Sequence, residues 1–194
     1  MLLRIYKIIS YLICPFIPIY LNNRISLKKE LKDRINERYG YSTINRKKGK
    51  LVWIHAASIG ESLSILPIIS ELEKNTEIKQ ILVTTGTVTS AKIMDQRLRG
   101  KALHQFLPID IPIFIERFLN HWKPSLSIFV ESEIWPNFIS ALSRRNTKLM
   151  ILNGRMTVKS LNNWLRFKQT ASKLFKNFDL CCTQNSDSAF FYEN

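Results

Sequence analysis

Two short stretches carry residues whose types and spacing suit acid–base chemistry. The first is HAASIGES at 55–62, an apolar run closing on a histidine and then a small-residue turn with one glutamate, Glu61. Ser58-Ile59-Gly60-Glu61 fits the S-x-x-E capping box, in which Glu reaches back to the cap residue's own backbone N–H. The same placement suits a general base. Gly60 lets a ligand approach the backbone, and the positive end of a helix favours the ionised carboxylate with which a base must start. Helix cap and catalytic base are both open readings of Glu61. The second stretch is ESEIWPN at 131–137, where Glu131 and Glu133 flank Ser132 at the end of the apolar run LSIFV. Two carboxylates this close repel, which predicts a raised pKa for one of them unless a cation such as Arg155 lies near. The blander reading makes one acid a helix cap and leaves the other in solvent.

Other residues are weaker candidates. Thr84-Thr85-Gly86-Thr87 suits a loop around a phosphate or sugar hydroxyls, with Thr85, Gly86 and Thr87 as contacts, but it lacks the lysine of a P-loop and reads equally as a turn with a threonine cap. Arg155, after Asn153-Gly154, suits an anionic substrate group or simply the surface. His55 suits a base, but a histidine closing a strand is more often a structural, hydrogen-bonded residue.

Such residues need a scaffold that gathers them. From residue 50, short apolar runs rich in β-branched residues, at 51–55, 80–85, 104–108, 126–131, 148–153 and 179–183, alternate with helix-like segments around 62–74, 88–98, 112–121, 135–145 and 158–176. That alternation predicts βαβ units and a Rossmann-like, mostly parallel sheet with helices on both faces. Pro67 predicts a late start or a kink in the first of these helices. Right-handed crossovers place every strand-to-helix turn at one carboxyl edge, so Ser58 to Glu61, Thr85 to Thr87, Asp110, Glu131 to Glu133 and Arg155 share it. An edge this polar suits a hydroxyl-rich ligand.

The preceding quarter is different in kind. MLLRIYKIISYLICPFIPIYL is about long enough to cross a hydrocarbon core, although Arg4, Lys7, Pro15 and Pro18 interrupt it, and it offers no small-residue cleavage site. We read residues 1–22 as an uncleaved membrane anchor, spanning or lying in the interface. Residues 23–50 read as a basic arm, in which Ile25, Leu27, Leu31 and Ile35 mark an incomplete apolar stripe on a helix resting against anionic headgroups, and residues 51–194 as the α/β domain. Residues 1–50 hold twelve of the 29 basic residues and three of the 15 acids, within a formal charge of +14. Basic residues beside the anchor place the domain on the cytoplasmic face of the membrane. Charge alone would also suit nucleic acid, but no aromatic-basic RNA signature or zinc spacing accompanies it, so no nucleic-acid partner is expected. Cys14, Cys181 and Cys182 form no CxxC pair and no even framework, which fits a reducing compartment and suggests no metal site.

ERYG at 37–40, HAASIGES at 55–62, TTGT at 84–87, LPID at 107–110, ESEIWPN at 131–137 and NGRMT at 153–157, in this order behind an apolar N-terminus, resemble the 3-deoxy-D-manno-octulosonic acid (Kdo) transferases of Gram-negative bacteria. The resemblance implies the N-terminal, acceptor-binding half of a GT-B glycosyltransferase on the inner membrane. Such an enzyme transfers Kdo from CMP-Kdo to a lipid A precursor with inversion, and needs no cofactor and no metal. It further implies Glu61 as general base and Glu131 as transition-state stabiliser, with Glu133 holding the loop. The donor-binding half of the family lies beyond FFYEN at 190–194, so the isolated chain is expected to need a donor domain for activity. The alternative is an inactive remnant or a lipid A precursor binding module.

Overall fold

The computed structural model describes residues 2–193; Met1 and Asn194, the outer ends of the expected anchor and domain, lie outside the described residues. Six strands form one parallel sheet: β1 (Lys50–His55), β2 (Ile78–Thr85), β3 (Ala102–Phe106), β4 (Leu126–Val130), β5 (Lys148–Gly154) and β6 (Leu180–Thr183). Their order is β3-β2-β1-β4-β5-β6. Each neighbouring pair is parallel, with Val52 to His55 of β1 facing Leu126 to Phe129 of β4.

Burial on both faces follows from the side-chain period of two. On β1, Leu51 and Trp53 point to one face, where they meet Leu82, Phe129 and Leu149 beneath helices α6 (Pro112–Trp122) and α7 (Pro136–Arg144). Val52 and Ile54 point to the other, where Ile81, Val83, Ile128 and Val130 pack under α4 (Leu66–Lys74) and α5 (Val88–Arg97). Trp53 is fully buried, with its ring 5.0 Å from that of Phe118 and 5.3 Å from those of Phe129 and Phe138. Truncating such a side chain to alanine costs about 3–5 kcal/mol.

The first strand-to-helix connection contains two helices. Six-residue α3 (Ile59–Ser64) ends at Ile65, and α4 begins with Pro67 in its first turn, where a missing N–H costs nothing. The break expected from Pro67 therefore falls between two helices that together cover the predicted segment. The predicted helix over 158–176 is also two, α8 (Val158–Leu165) and α9 (Lys168–Phe175), separated at Phe167 with φ −128° and ψ 44°. The last helix, α10, spans Ser186–Glu193.

The N-terminal segment departs most from expectation. Helix α1 (Leu2–Ile13), a 3₁₀ turn at Cys14–Phe16 and α2 (Ile17–Ser26) make one near-continuous helical rod. By length and composition the rod is able to cross a membrane, with a mean hydropathy of 1.6. Pro15 and Pro18 sit in first-turn positions of the 3₁₀ turn and of α2, so neither ends the rod. The amphipathic helix expected through Ile25 and Ile35 does not form. Lys28 adopts a left-handed φ of 57° after α2, and the chain resumes as a 3₁₀ helix over Lys32–Tyr39. Ile35 and Tyr39 pack beside Ile17, Leu21, Ile111 and Phe114 instead of forming a free apolar stripe. Gly40 closes the 3₁₀ helix with φ 81°, and a Cβ there would stand 2.1 Å from the Phe114 carbonyl oxygen, so the ERYG turn admits only glycine against α6.

Candidate active site at the sheet switch point

Strand order reverses between β1 and β4, since β2 and β3 lie on one side of β1 while β4 to β6 lie on the other. The loops leaving β1 and β4 therefore diverge to opposite faces and open a crevice at the carboxyl edge, the usual ligand position in such a sheet. His55 and the Ser58-to-Glu61 turn leave β1 at this point, and Glu131 to Glu133 leave β4 beside them.

Glu61 is a helix cap in this structure. Ser58 Oγ accepts the Glu61 N–H at 3.3 Å, and Glu61 Oε2 accepts the Ala57 N–H at 2.9 Å. The reach is one residue further back than a strict capping box, which returns to the cap residue itself. Glu61 is only 8% exposed, but one carboxylate oxygen takes the whole of this bond. Gly60 stands in the open, with nothing within 4 Å of where a Cβ would be. The backbone beside Glu61 thus has room for a ligand.

Glu131 adopts φ 57°, a left-handed conformation that costs a non-glycine residue about 1–2 kcal/mol. Strain of this kind persists where the surroundings fix it and concentrates at functional positions. Here the Glu131 N–H is tied to Leu152 O at 2.9 Å, and the Ser132 hydroxyl donates to the Arg155 carbonyl. Glu133 Oε2 accepts the Trp135 indole N–H at 2.9 Å and lies 3.4 Å from His55 Nε2. Burial pushes the Glu133 carboxyl up, but His55 and the Trp135 N–H outweigh it and hold the pKa below the usual range. This corrects the expectation from the bare spacing. The nearby ring that favours the Glu133 carboxylate is His55, while Arg155 is exposed and contributes its carbonyl to the loop.

His55, expected as a hydrogen-bonded residue at a strand end, is that and also joins two loops. It is 1% exposed, with Nδ1 3.0 Å from Thr84 Oγ1 and 3.1 Å from Thr84 O, and Thr84 Oγ1 in turn accepts the Trp53 indole N–H at 2.9 Å. A neutral ring satisfies the chain when the Thr84 hydroxyl donates to Nδ1 and Nε2–H donates to Glu133. A doubly protonated ring satisfies it by donating to Thr84 O and Glu133. Either way a buried polar line runs from the core at Trp53 to the crevice at Glu133.

The remaining candidates divide. Gly86 lies at the crevice wall, its carbonyl taking a 2.7 Å hydrogen bond from Arg38. Thr87 caps α5 by accepting the Ser90 N–H at 3.1 Å. Thr85 is fully buried with its hydroxyl 2.9 Å from His104 Nε2, so it supports the loop from beneath and does not face the opening. Asp110, expected as a polar turn residue at the edge, is buried and caps another element: its two oxygens accept the N–H groups of Asn137 and Phe138 at 3.2 and 3.0 Å, opening α7. Burial raises its pKa, against these bonds and that from Tyr6.

Between the N-terminal rod and the sheet edge lies a cavity of about 490 Å³, walled by Phe16, Leu21, Arg24, Arg38, His55 and Trp135 among others. Ala57, whose N–H Glu61 holds, also forms part of the wall. The side from the rod is mostly apolar, and the side from the carboxyl edge sets His55, Asp110 and Glu133 among apolar Leu107, Pro108 and Ile109. Arg38 makes the join, donating to Glu30 at 2.9 Å, Leu107 O at 2.9 Å and Gly86 O at 2.7 Å. Glu30, 6% exposed, is shared with Arg24 at 2.9 Å. Two guanidinium groups face one carboxylate here, and Asp110 and Glu133 line the same cavity, so its wall carries charges of both signs. Only the presence of Arg38 in ERYG signalled this cluster in the sequence. Among the described residues, no group of three or more His, Cys, Asp or Glu side chains stands together as a metal site would require.

The family profile described as 3-deoxy-D-manno-octulosonic-acid transferase (kdotransferase) matches residues 33–193. The chain belongs to this family. It is 37% identical over 184 residues to a 3-deoxy-D-manno-octulosonic acid transferase of Rickettsia bellii, a match covering 95% of this chain and 44% of that protein. A probable mitochondrial 3-deoxy-D-manno-octulosonic acid transferase of Arabidopsis thaliana is 38% identical over 161 residues, 83% of this chain and 36% of the relative. The Haemophilus influenzae transferase is 31% identical over 162 residues, 83% of this chain and 38% of the relative. The chain thus spans less than half the length of these Kdo transferases. Within the family region fall the whole sheet, the switch-point crevice, Glu61, Glu131 and Glu133.

Proposed function

We propose that this chain forms the acceptor half of a GT-B Kdo transferase, which moves Kdo from CMP-Kdo to a hydroxyl of a lipid A precursor with inversion and without a metal. What supports this reading is that His55, Glu61, Glu131 and Glu133 all lie on the segments leaving β1 and β4, at the switch point of a family member's sheet. Glu61 is the general base. Its Oε2 stays on the Ala57 N–H while Oε1 takes the proton of the acceptor hydroxyl, so cap and base are one residue in two roles. As the proton leaves, the acceptor oxygen bonds to the anomeric carbon of Kdo, and the bond to phosphate breaks with its electron pair leaving on CMP. A single displacement of this kind inverts the centre. Glu131, on its left-handed turn, stabilises the positive charge that develops on the sugar, and Glu133, held by His55 and Trp135, keeps that turn in place.

Ser58, Gly60, Gly86 and Thr87 border the acceptor sugar, Thr85 stiffens their loop, and Arg155 reaches for an anionic group of a substrate. The cavity, apolar along the rod and mixed in charge along the sheet edge, suits a ligand with acyl chains and a polar head. The donor is held by the part of the enzyme that this chain does not span. Anionic lipids of the inner membrane, cytoplasmic face, are the remaining partner.

The test is transfer from CMP-Kdo to a lipid A precursor in detergent, with this chain alone, with a separately expressed donor half, and with Glu61→Gln in each. Activity in the mixture alone, lost in the variant, supports the proposal. Absence of transfer with a competent donor half refutes it in favour of a binding module, a reading that would leave Glu61 as a cap.

A further inference from the structure

The N-terminal rod has two faces that differ in chemistry. Leu3, Tyr6, Ser10, Ile17, Leu21 and Arg24 follow one another at steps that keep them on one side of a helix, and that side lies along the domain. Leu3 packs on the core beneath α6 and α7. The Tyr6 hydroxyl donates to Asp110 Oδ2 at 2.8 Å, and Ser10 Oγ accepts from Asn137 Nδ2 at 3.0 Å. Ile17 and Leu21 are 5% and 1% exposed against Ile111 and Phe114, and Arg24 closes the row on Glu30. The opposite side is apolar and open: Ile8, Leu12, Phe16 and Ile19 are 57%, 67%, 64% and 69% exposed. Exposed Arg4 and Lys7 stand at its border with the domain, and exposed Lys28 and Lys29 follow its end.

We propose that this rod lies in the plane of one leaflet of an anionic membrane and does not cross it. The proposal rests on the membrane-bound reading above and specifies its geometry. Length permits either pose, since 25 helical residues rise about 37 Å and a hydrocarbon core is about 30 Å thick. The side chains separate the two. A crossing helix projects away from its domain, which here would take the Tyr6 hydroxyl from Asp110 and the Ser10 hydroxyl from Asn137, 6% and 8% exposed, and present an unpaired Tyr6 hydroxyl to lipid. Unpaired polar groups of this kind are costly in either place. In the plane, the polar row stays on the domain, the apolar face meets acyl chains, and the basic residues meet lipid headgroups. The same pose turns the cavity wall at Phe16, 64% exposed, toward the leaflet, so that a lipid enters the crevice sideways and need not leave the membrane.

The pose fixes the side on which the N-terminus emerges, and this is measurable. In this chain with Cys14, Cys181 and Cys182 replaced by alanine, a single thiol is introduced by Leu2→Cys or, as the domain reference, by exposed Gln96→Cys. Each variant is inserted into sealed inside-out inner-membrane vesicles and treated with a membrane-impermeant maleimide before and after detergent. The in-plane rod predicts that both positions label to the same extent before detergent. Labelling of position 2 only after detergent overturns the proposal and establishes a crossing helix. In a second arm, the unlabelled chain is floated with vesicles rich in phosphatidylglycerol, where the proposal predicts co-flotation that weakens on zwitterionic vesicles. A chain that stays out of the lipid fraction and elutes as a dimer overturns it as well, with a second copy covering the apolar face. Neither arm measures glycosyl transfer, so failure here is distinct from failure of the proposed activity.

Discussion

Replacing Glu61 by glutamine separates the cap from the base. Glutamine is accepted at this position of a capping box, so Glu61→Gln retains an oxygen for the Ala57 N–H and loses only the charge. The charge at the first turn of α3 contributes about 0.3–1 kcal/mol through the helix dipole, which sets the expected stability loss. Glu61→Ala also removes the hydrogen bond. A bond to a charged acceptor contributes about 1.5–3 kcal/mol. For a domain of this size, each kcal/mol moves Tm by about 2–4 °C, so alanine should lower Tm by several degrees more than glutamine. Transfer, measured with a competent donor half, should fall about 10²- to 10⁴-fold in both variants, because neither retains a base. The reasoning is refuted if Glu61→Gln transfers Kdo at the parent rate while Glu61→Ala loses stability. That pair of results would make Glu61 a cap and nothing more.

Glu131→Gly should separate strain from function in the same way: glycine relieves the left-handed penalty of about 1–2 kcal/mol, partly offset by its own chain entropy of about 0.5–1 kcal/mol. Chemical denaturation should therefore show unchanged or slightly increased stability beside reduced transfer. Arg38→Met leaves Glu30 buried with only Arg24 and frees the Gly86 and Leu107 carbonyls, and should cost about 3–5 kcal/mol by urea unfolding. His104, buried and facing Arg34 and Arg38, has its pKa pushed down to about 3 from an ordinary 6.5. The unfolded chain therefore binds a proton that the folded chain refuses, and stability should fall as pH drops below 6.5 toward 3. The slope from this one group is about 1.4 kcal/mol per pH unit, and His104→Gln should flatten the unfolding profile between pH 6.5 and 5, above the carboxylate range.

The sheet was legible because its signal is local. Short apolar runs such as LVWIH on β1 and LSIFV on β4 depend only on neighbours in the chain, and the strand ends fall within two residues of their predicted places. Pro67 likewise announced a break by removing a donor. The break at Phe167 had no such sign, since no proline or glycine marks it, and α8 and α9 are set by packing such as Trp164 on Phe175, with ring centroids 5.4 Å apart. Lys28 turns left-handed with no glycine to announce it, so the basic arm read as one helix. At the site, Glu61 and Glu131 stood out by type and spacing. His55 and Asp110 were visible as a strand-end and an edge residue, but their partners were not, because Thr84, Glu133 and the start of α7 lie far away in sequence.

Those distant partners link the rod to the chemistry. Asp110 holds Tyr6 of α1 with one oxygen and the opening N–H groups of α7 with both, and α7 begins directly after the Glu131-to-Trp135 turn. Arg38 ties the segment behind the rod to Gly86 after β2 and to Leu107 after β3. Two sides of the crevice are therefore fastened to the N-terminal segment by buried, charge-assisted bonds, which are stronger than neutral ones and tolerate little displacement. A rod seated in a leaflet would then set the tilt of the crevice as well as its distance from the surface. An acceptor confined to that leaflet would arrive with its hydroxyl already oriented toward Glu61, and orientation of this kind is a large part of what a transferase must supply.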